Sequence, residues 1–299
     1  MAKTRDFVIY SDVTCDMPVD MMKKHKISEF RMGLLIGNPE NSKEVPASIL
    51  EPQYTMEEFY SWLKNGVEVR TVQVTRIEYE TRMNAAVKKG KDILYIACSS
   101  ALSGSVGLAK IVADEIMAKN RGSKIVVIDS LCASFAQGNL VLHAAMMHEA
   151  GADIDEVAAW VEENKNNSNL YATVDELRYL RKAGRISGAK AFFGEIMQVK
   201  PIIISNLVGQ NESIEKQKGK RKALMRICQA CKDQLVGDIN TATVIIGHAA
   251  DPTIEKILIE NCKSLGFVNI ISTYIGPITG TSCGPTVAGT FILGKRKVQ

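Results

Sequence analysis

The 299-residue sequence predicts an α/β protein whose N-terminal part is a mostly parallel sheet with flanking helices. Three observations predict it. Short apolar runs of strand length recur at Phe7–Tyr10, Asp92–Ala97 and Lys124–Asp129, each followed by a hydroxyl-rich loop. Helix-length segments separate the runs. Capping-box patterns, Thr55-x-x-Glu58, Thr75-x-x-Glu78 and Asp153-x-x-Glu156, open several of those helices.

In order along the chain, the first strand breaks at Ser11-Asp12, and a helix restarts near Asp16 with Pro18 in its first turn. Phe30–Ile36 is a second apolar run, followed by a polar stretch holding Gly37 and Pro39. The capping boxes place helices at 56–65 and 76–89. The strand at 92–97 leads through loop Ser99–Ser105 into a helix ending near Lys119, and the strand at 124–129 leads through a loop from Ser130 into helices at 136–150 and 154–165.

From Leu170 the pattern changes. A strand at 169–173, a helix over Val174–Lys182, the turn Gly184-Arg185-Ile186-Ser187-Gly188 and an apolar helix Ala189–Met197 follow. Strands are expected at Pro201–Ser205, Thr241–Ala249 and Val268–Tyr274, helices at 222–236 and 252–265, and a Gly-rich loop over Gly276–Gly289. The boundary is placed in the Asn/Lys/Ser stretch Asn164–Asn169. The expected division is an N-terminal α/β domain over 1–166 and a C-terminal α/β domain over 167–299.

Composition excludes several classes. Hydrophobic residues at 46% and charged residues at 23% describe a folded globular chain. A formal charge of +4 is too small to argue for nucleic acid, and the basic run Lys216–Lys222 lacks interleaved aromatics. It reads as a solvated turn or helix start, or as a protein-docking segment. No apolar run reaches the roughly 18–20 residues of a membrane-spanning helix. The N-terminus shows no signal-peptide core, and the seven cysteines are odd in number and scattered, so free thiols in a reducing cytoplasm are expected. Cys228-x-x-Cys231 falls within a helix rather than at its start, where redox pairs sit, and no His lies at zinc spacing. Neither metal nor cofactor is expected.

Ligands of such sheets bind where loops leave the C-terminal strand ends. The loops Ser11–Asp16, Thr71–Thr75, Ser99–Ser105 and Ser130–Gly138 converge there, and all are rich in Ser and Thr. Ser103-Gly104-Ser105 also opens a helix, where backbone N–H groups favour an anion. Signatures of covalent catalysis are absent: His143 and His148 are spaced i,i+5, and there is no GxSxG elbow, Walker loop or GxGxxG. An α/β enzyme acting on a small phosphorylated or carboxylated metabolite, with Asp12, Arg185 or His248 catalytic, stays open as the alternative.

In order, these motifs resemble the DegV family of bacterial lipid-binding proteins. The resemblance rests on Ser11-Asp12-Val13-Thr14-Cys15-Asp16-Met17-Pro18, Thr71-Val72-Gln73-Val74-Thr75, Ser99–Val106 and Val127-Ile128-Asp129-Ser130. It continues through Asp175-Glu176-Leu177, Leu180, Ala183-Gly184-Arg185-Ile186-Ser187 and Ile275–Thr286, and so covers essentially the whole chain. It implies two domains with a long-chain fatty acid, about 14 to 18 carbons, buried between them. The carboxylate would lie on Thr71 and Ser103. The protein would carry the acid without transforming it and present it to a partner such as a separate fatty-acid kinase. Arg185, together with Thr281 and Ser282, falls where the family contacts the head group or partner. Ser282 replaces a family His, Val74 a Pro and Val13 a loop Ser. Phe192, Phe193, Ile196 and Met197 are candidates for the acyl-chain lining, although at their helical spacing such residues are core by default.

Overall fold

The computed structural model describes residues 5–187 and 198–297. The first half runs β1 (Phe7–Asp12), α1 (Val19–Lys24), β2 (Ser28–Phe30), β3 (Met32–Ile36), β4 (Lys43–Ala47), α2 (Met56–Lys64), β5 (Val69–Val72), α3 (Arg76–Lys88), β6 (Asp92–Ala97), α4 (Ser105–Lys119), β7 (Ile125–Asp129), α5 (Phe135–Glu149) and α6 (Ile154–Asn164). The second runs β8 (Ser168–Thr173), α7 (Arg178–Ala183), β9 (Val199–Ser205), β10 (Asn211–Lys218), α8 (Lys220–Gln234), β11 (Thr243–His248), α9 (Pro252–Ser264), β12 (Asn269–Tyr274), α10 (Pro277–Cys283) and β13 (Ala288–Leu293).

The N-terminal sheet is wholly parallel, in the order β2-β1-β6-β7. Every residue of β6 is buried, as expected for a central parallel strand covered on both faces. Thr55 and Asp153 complete full capping boxes. Thr75 completes half of one: it accepts the Glu78 N–H, but the Glu78 carboxylate turns instead to the Arg31 N–H at 3.0 Å.

The expected run Phe30–Ile36 divides at Arg31. Its start joins the parallel sheet as β2, and its remainder becomes β3 of a small antiparallel sheet, β4-β3-β5. Thr71 therefore stands on a strand, opposite Leu34, and not in a loop. Strands β4 and β5 lack a buried apolar alternation, so no periodicity announced them.

The C-terminal sheet has six strands, β10-β9-β8-β13-β11-β12, antiparallel except between β11 and β12. The helix expected over Val174–Lys182 forms only from Arg178, and the Gly-rich segment expected as a loop contains α10, with Pro277 in its first turn. The basic run divides between the end of β10 and the start of α8, turning at Gly219 with φ +86°. Cys228 and Cys231 lie buried within α8. Among the described residues no helix is long and apolar enough to cross a membrane.

Helix α5 is buried along most of its length and packs on β1 and β6 on one side and on β8 and β13 on the other. One hydrophobic core consequently runs from the parallel sheet through α5 to Ala172, Ile245 and Phe291 of the six-stranded sheet. A second core lies under α8 and α9, around Leu224, Ile227, Leu258 and Phe267.

Candidate functional site

All four hydroxyl-rich segments reach one cavity of about 240 Å³. Thr14 comes from the turn after β1, Thr71 and Gln73 from β5 and beyond, Cys98 and Leu102–Gly104 from the loop after β6, and Ala133 from the loop after β7. The C-terminal half closes it with Arg185, Asn211 and, on α10, Ile278, Thr279, Ser282 and Cys283. Met32 of β3 adds an apolar wall.

Thr71, Ser103, Arg185 and Ser282 thus line one cavity although they are far apart in sequence. Thr281 is not part of the wall, and its hydroxyl donates back to the Pro277 carbonyl at 2.7 Å within α10. Phe192, Phe193, Ile196 and Met197 lie outside the described residues. Gln73, Asn211 and Thr279 are polar wall residues that the sequence reading did not single out. Gln73 and Thr279 both sit within the motifs that carry the family resemblance, whereas nothing local marks Asn211.

The Ser103 hydroxyl lies 2.9 Å from that of Ser105, and the Ser105 N–H donates to it at 3.3 Å. Gly104 lets Gln73 approach closely: a Cβ there would stand 2.7 Å from Gln73 Oε1. Arg185 is tied to both halves, its Nε donating to the Leu102 carbonyl at 3.0 Å and Nη1 to the Ala183 carbonyl. Asn211 donates to the Arg185 carbonyl at 3.0 Å, so β10 braces the same segment.

Behind the wall lies Asp12, fully buried. Its carboxylate accepts from Tyr95 Oη at 2.8 Å, the Cys98 N–H at 2.9 Å, the Thr14 N–H at 3.1 Å and the Thr14 hydroxyl. The Gln137 amide adds a longer contact at 3.4 Å. A buried carboxylate this well supplied with donors is a structural anchor, and it ties the β1 turn to the end of β6. Burial pushes the Cys283 thiol up to about 12 and that of Cys98 well above its usual range, so neither wall thiol is an activated nucleophile.

His248 lies at the end of β11, away from this cavity. Its Nδ1 accepts the Asp251 N–H at 3.1 Å, which leaves Nε2 carrying the proton toward Ser272 and Glu255. Burial holds its imidazole below the ordinary value despite Glu255 and Asp251. No group of three or more His, Cys, Asp or Glu able to hold a metal occurs among the described residues.

The fold and site define a class: an α/β protein with a part-apolar, hydroxyl-walled cavity between two sheets. The family model described as "Uncharacterised protein, DegV family" matches residues 6–295. The chain belongs to the DegV family. It is 33% identical over 294 residues to a DegV domain-containing protein of Clostridium perfringens, covering 98% of this chain and 99% of that one. Among solved structures it resembles a fatty-acid-binding DegV family protein from Thermus thermophilus, with TM-score 0.84 and 22% identity, covering 97% and 99% of the two chains. It also resembles DegV of Bacillus subtilis, described as a fatty acid binding protein, with TM-score 0.80 and 24% identity, covering 98% and 100%.

Proposed function

We propose that this chain binds a long-chain fatty acid of about 14 to 18 carbons and presents it in the cytoplasm to a partner, such as a separate kinase, without catalysing a reaction itself. The observation that carries the reading is the convergence of Thr71, Ser103, Gln73 and Ser282 on a cavity whose apolar wall includes Met32, Leu102 and Ile278. Hydroxyl and amide donors suit a carboxylate, and the apolar groups suit the start of an acyl chain.

Most of the affinity would come from the tail. Burying 14 methylenes at about 0.8 kcal/mol each yields on the order of 10 kcal/mol before the costs of association. The carboxylate then needs enough donors to offset its own desolvation. At about 240 Å³ the cavity is smaller than typical ligand pockets of roughly 300–1,000 Å³, so the tail extends past it. Phe192, Phe193, Ile196 and Met197 are the candidates of the sequence for receiving that tail.

The modest volume is also the observation that favours a second reading, an enzyme acting on a short carboxylated or phosphorylated metabolite. Against it stand the Asp12 carboxylate, already supplied with donors, and the fact that His248 is not part of the cavity wall. Native mass spectrometry of the protein purified from a bacterial host separates the two. A co-purifying mass of a 14- to 18-carbon acid supports the carrier; a short acid or phosphate ester in its place defeats it. Thr71→Val combined with Ser103→Ala is expected to weaken palmitate binding at least ten-fold with the fold intact, measured by calorimetry and circular dichroism.

A further inference from the structure

Asp16 is buried, and two independent features of its surroundings are unusual. It holds a left-handed backbone conformation, φ 51°, and its Oδ2 accepts from the hydroxyl of Ser134, which also has positive φ, 54°. Two bonded non-glycine residues in sparsely populated conformations, brought together from separate loops, mark a junction held by its surroundings. The other oxygen, Oδ1, completes no hydrogen bond of good geometry. The backbone of Gly276 lies so close to Oδ1 that a Cβ there would stand 2.3 Å from it, and the Gly276 N–H and the Thr279 hydroxyl both act on the carboxyl group. Thr279 also lines the cavity. One hydroxyl therefore stands between a buried carboxyl group and the cavity proposed above for the head group.

A threonine hydroxyl has one proton to donate and two lone pairs to accept with. When Asp16 is ionised, Thr279 turns its proton to the carboxylate and presents only lone pairs to the cavity, which repel a ligand carboxylate. When Asp16 is neutral, its own O–H donates to Thr279 Oγ1, and the Thr279 proton turns toward the cavity. We propose that Asp16 is a positioning residue that couples head-group binding to proton uptake: a carboxylate entering the cavity makes Asp16 take one proton from water, and Thr279 relays the hydrogen bond. This inference rests on the fatty-acid reading.

Among the described residues, the titratable groups that face Asp16 add no positive charge. Asp12 on β1, Cys15 in the turn after it, Tyr60 on α2 and Cys283 on α10 face it. Burial foremost, with Asp12 adding to it against the Ser134, Gly276 and Thr279 donors, pushes its carboxyl up to about 7. A ligand carboxylate nearby would raise it further, so uptake occurs above neutral pH.

The test is calorimetric titration of palmitate between pH 6 and 8.5, in paired buffers of different ionisation enthalpy. The expected wild-type result is uptake of about one proton per palmitate near pH 8, with affinity falling up to about ten-fold per pH unit above 7. Asp16→Asn, whose asparagine tolerates the left-handed conformation, should bind without proton uptake and with a flat profile. Should that variant fail to fold, Thr279→Val, close in shape, should show the same flattening. Palmitate binding without proton uptake in the wild type, or with equal uptake in the variants, overturns this inference and leaves the fatty-acid reading standing. Absence of palmitate binding at every pH overturns both.

Discussion

Two buried aspartates four residues apart are supplied with donors differently. Asp12 meets four close donors, whereas Asp16 has one good partner and an oxygen left without one. The consequence for stability follows from linkage. Burial pushes the Asp16 carboxyl up to about 7 in the folded state against the ordinary 3.8 of an exposed aspartate, so the folded state binds the extra proton between those values. Its contribution is fully present below about pH 4 and is lost as pH rises through 7, by about 4 kcal/mol in total. Asp16→Asn removes that loss. Urea unfolding from pH 4 to 8 should show wild-type stability falling relative to the variant across this window and running parallel above it.

At the scale of elements, close backbone approaches decide how the loops meet. Gly104 admits Gln73, and the nearest atom to a new Cβ is the end of a flexible side chain. Gly104→Ala should therefore displace Gln73 within the cavity, cost less than about 1 kcal/mol of stability and weaken palmitate binding. Gly209, at the tip of the β9–β10 hairpin, is less forgiving. Its φ is +77°, a Cβ would lie 3.0 Å from Leu131 Cα and 2.1 Å from Ser99 Oγ, and its carbonyl accepts the Ser99 hydroxyl at 2.8 Å. Gly209→Ala combines backbone strain with a clash against backbone and should cost about 2 kcal/mol or more, lowering the melting temperature and loosening the hairpin from the loop after β7. Hydrogen exchange at the hairpin amides reads the second effect.

Across the whole molecule, α5 joins the sheets into one core, so the halves should not unfold separately. Phe135, fully buried at the start of α5, lies 6.5 Å from Phe291 of β13 between ring centroids. Phe135→Ala should cost about 3–5 kcal/mol. It should lower the transition seen by Trp62 and Trp160 fluorescence and that seen by exchange in β11 together. Two separated transitions would show that the expected boundary near 166–168 divides independent folding units.

What the sequence determined by itself is what neighbouring residues decide among themselves. Apolar runs bounded by turns marked β1, β6 and β7, and Thr55 and Asp153 marked helix starts, because burial patterns and caps are local. The hydroxyl loops at strand ends were legible for the same reason, and motif order revealed the family. The edge strands β4, β5 and β10 were not legible. Their residues are part-exposed and polar, and pairing partners rather than periodicity make them strands. Only the tertiary structure decided that Thr71 stands on a strand, that Thr281 turns its hydroxyl back into its own helix, and that Thr279 meets Asp16. Asp16 and Thr279 lie at opposite ends of the chain, and no local rule joins them. Their meeting depends on α10 packing against the turn after β1, and the donors available to a buried carboxyl depend on that packing.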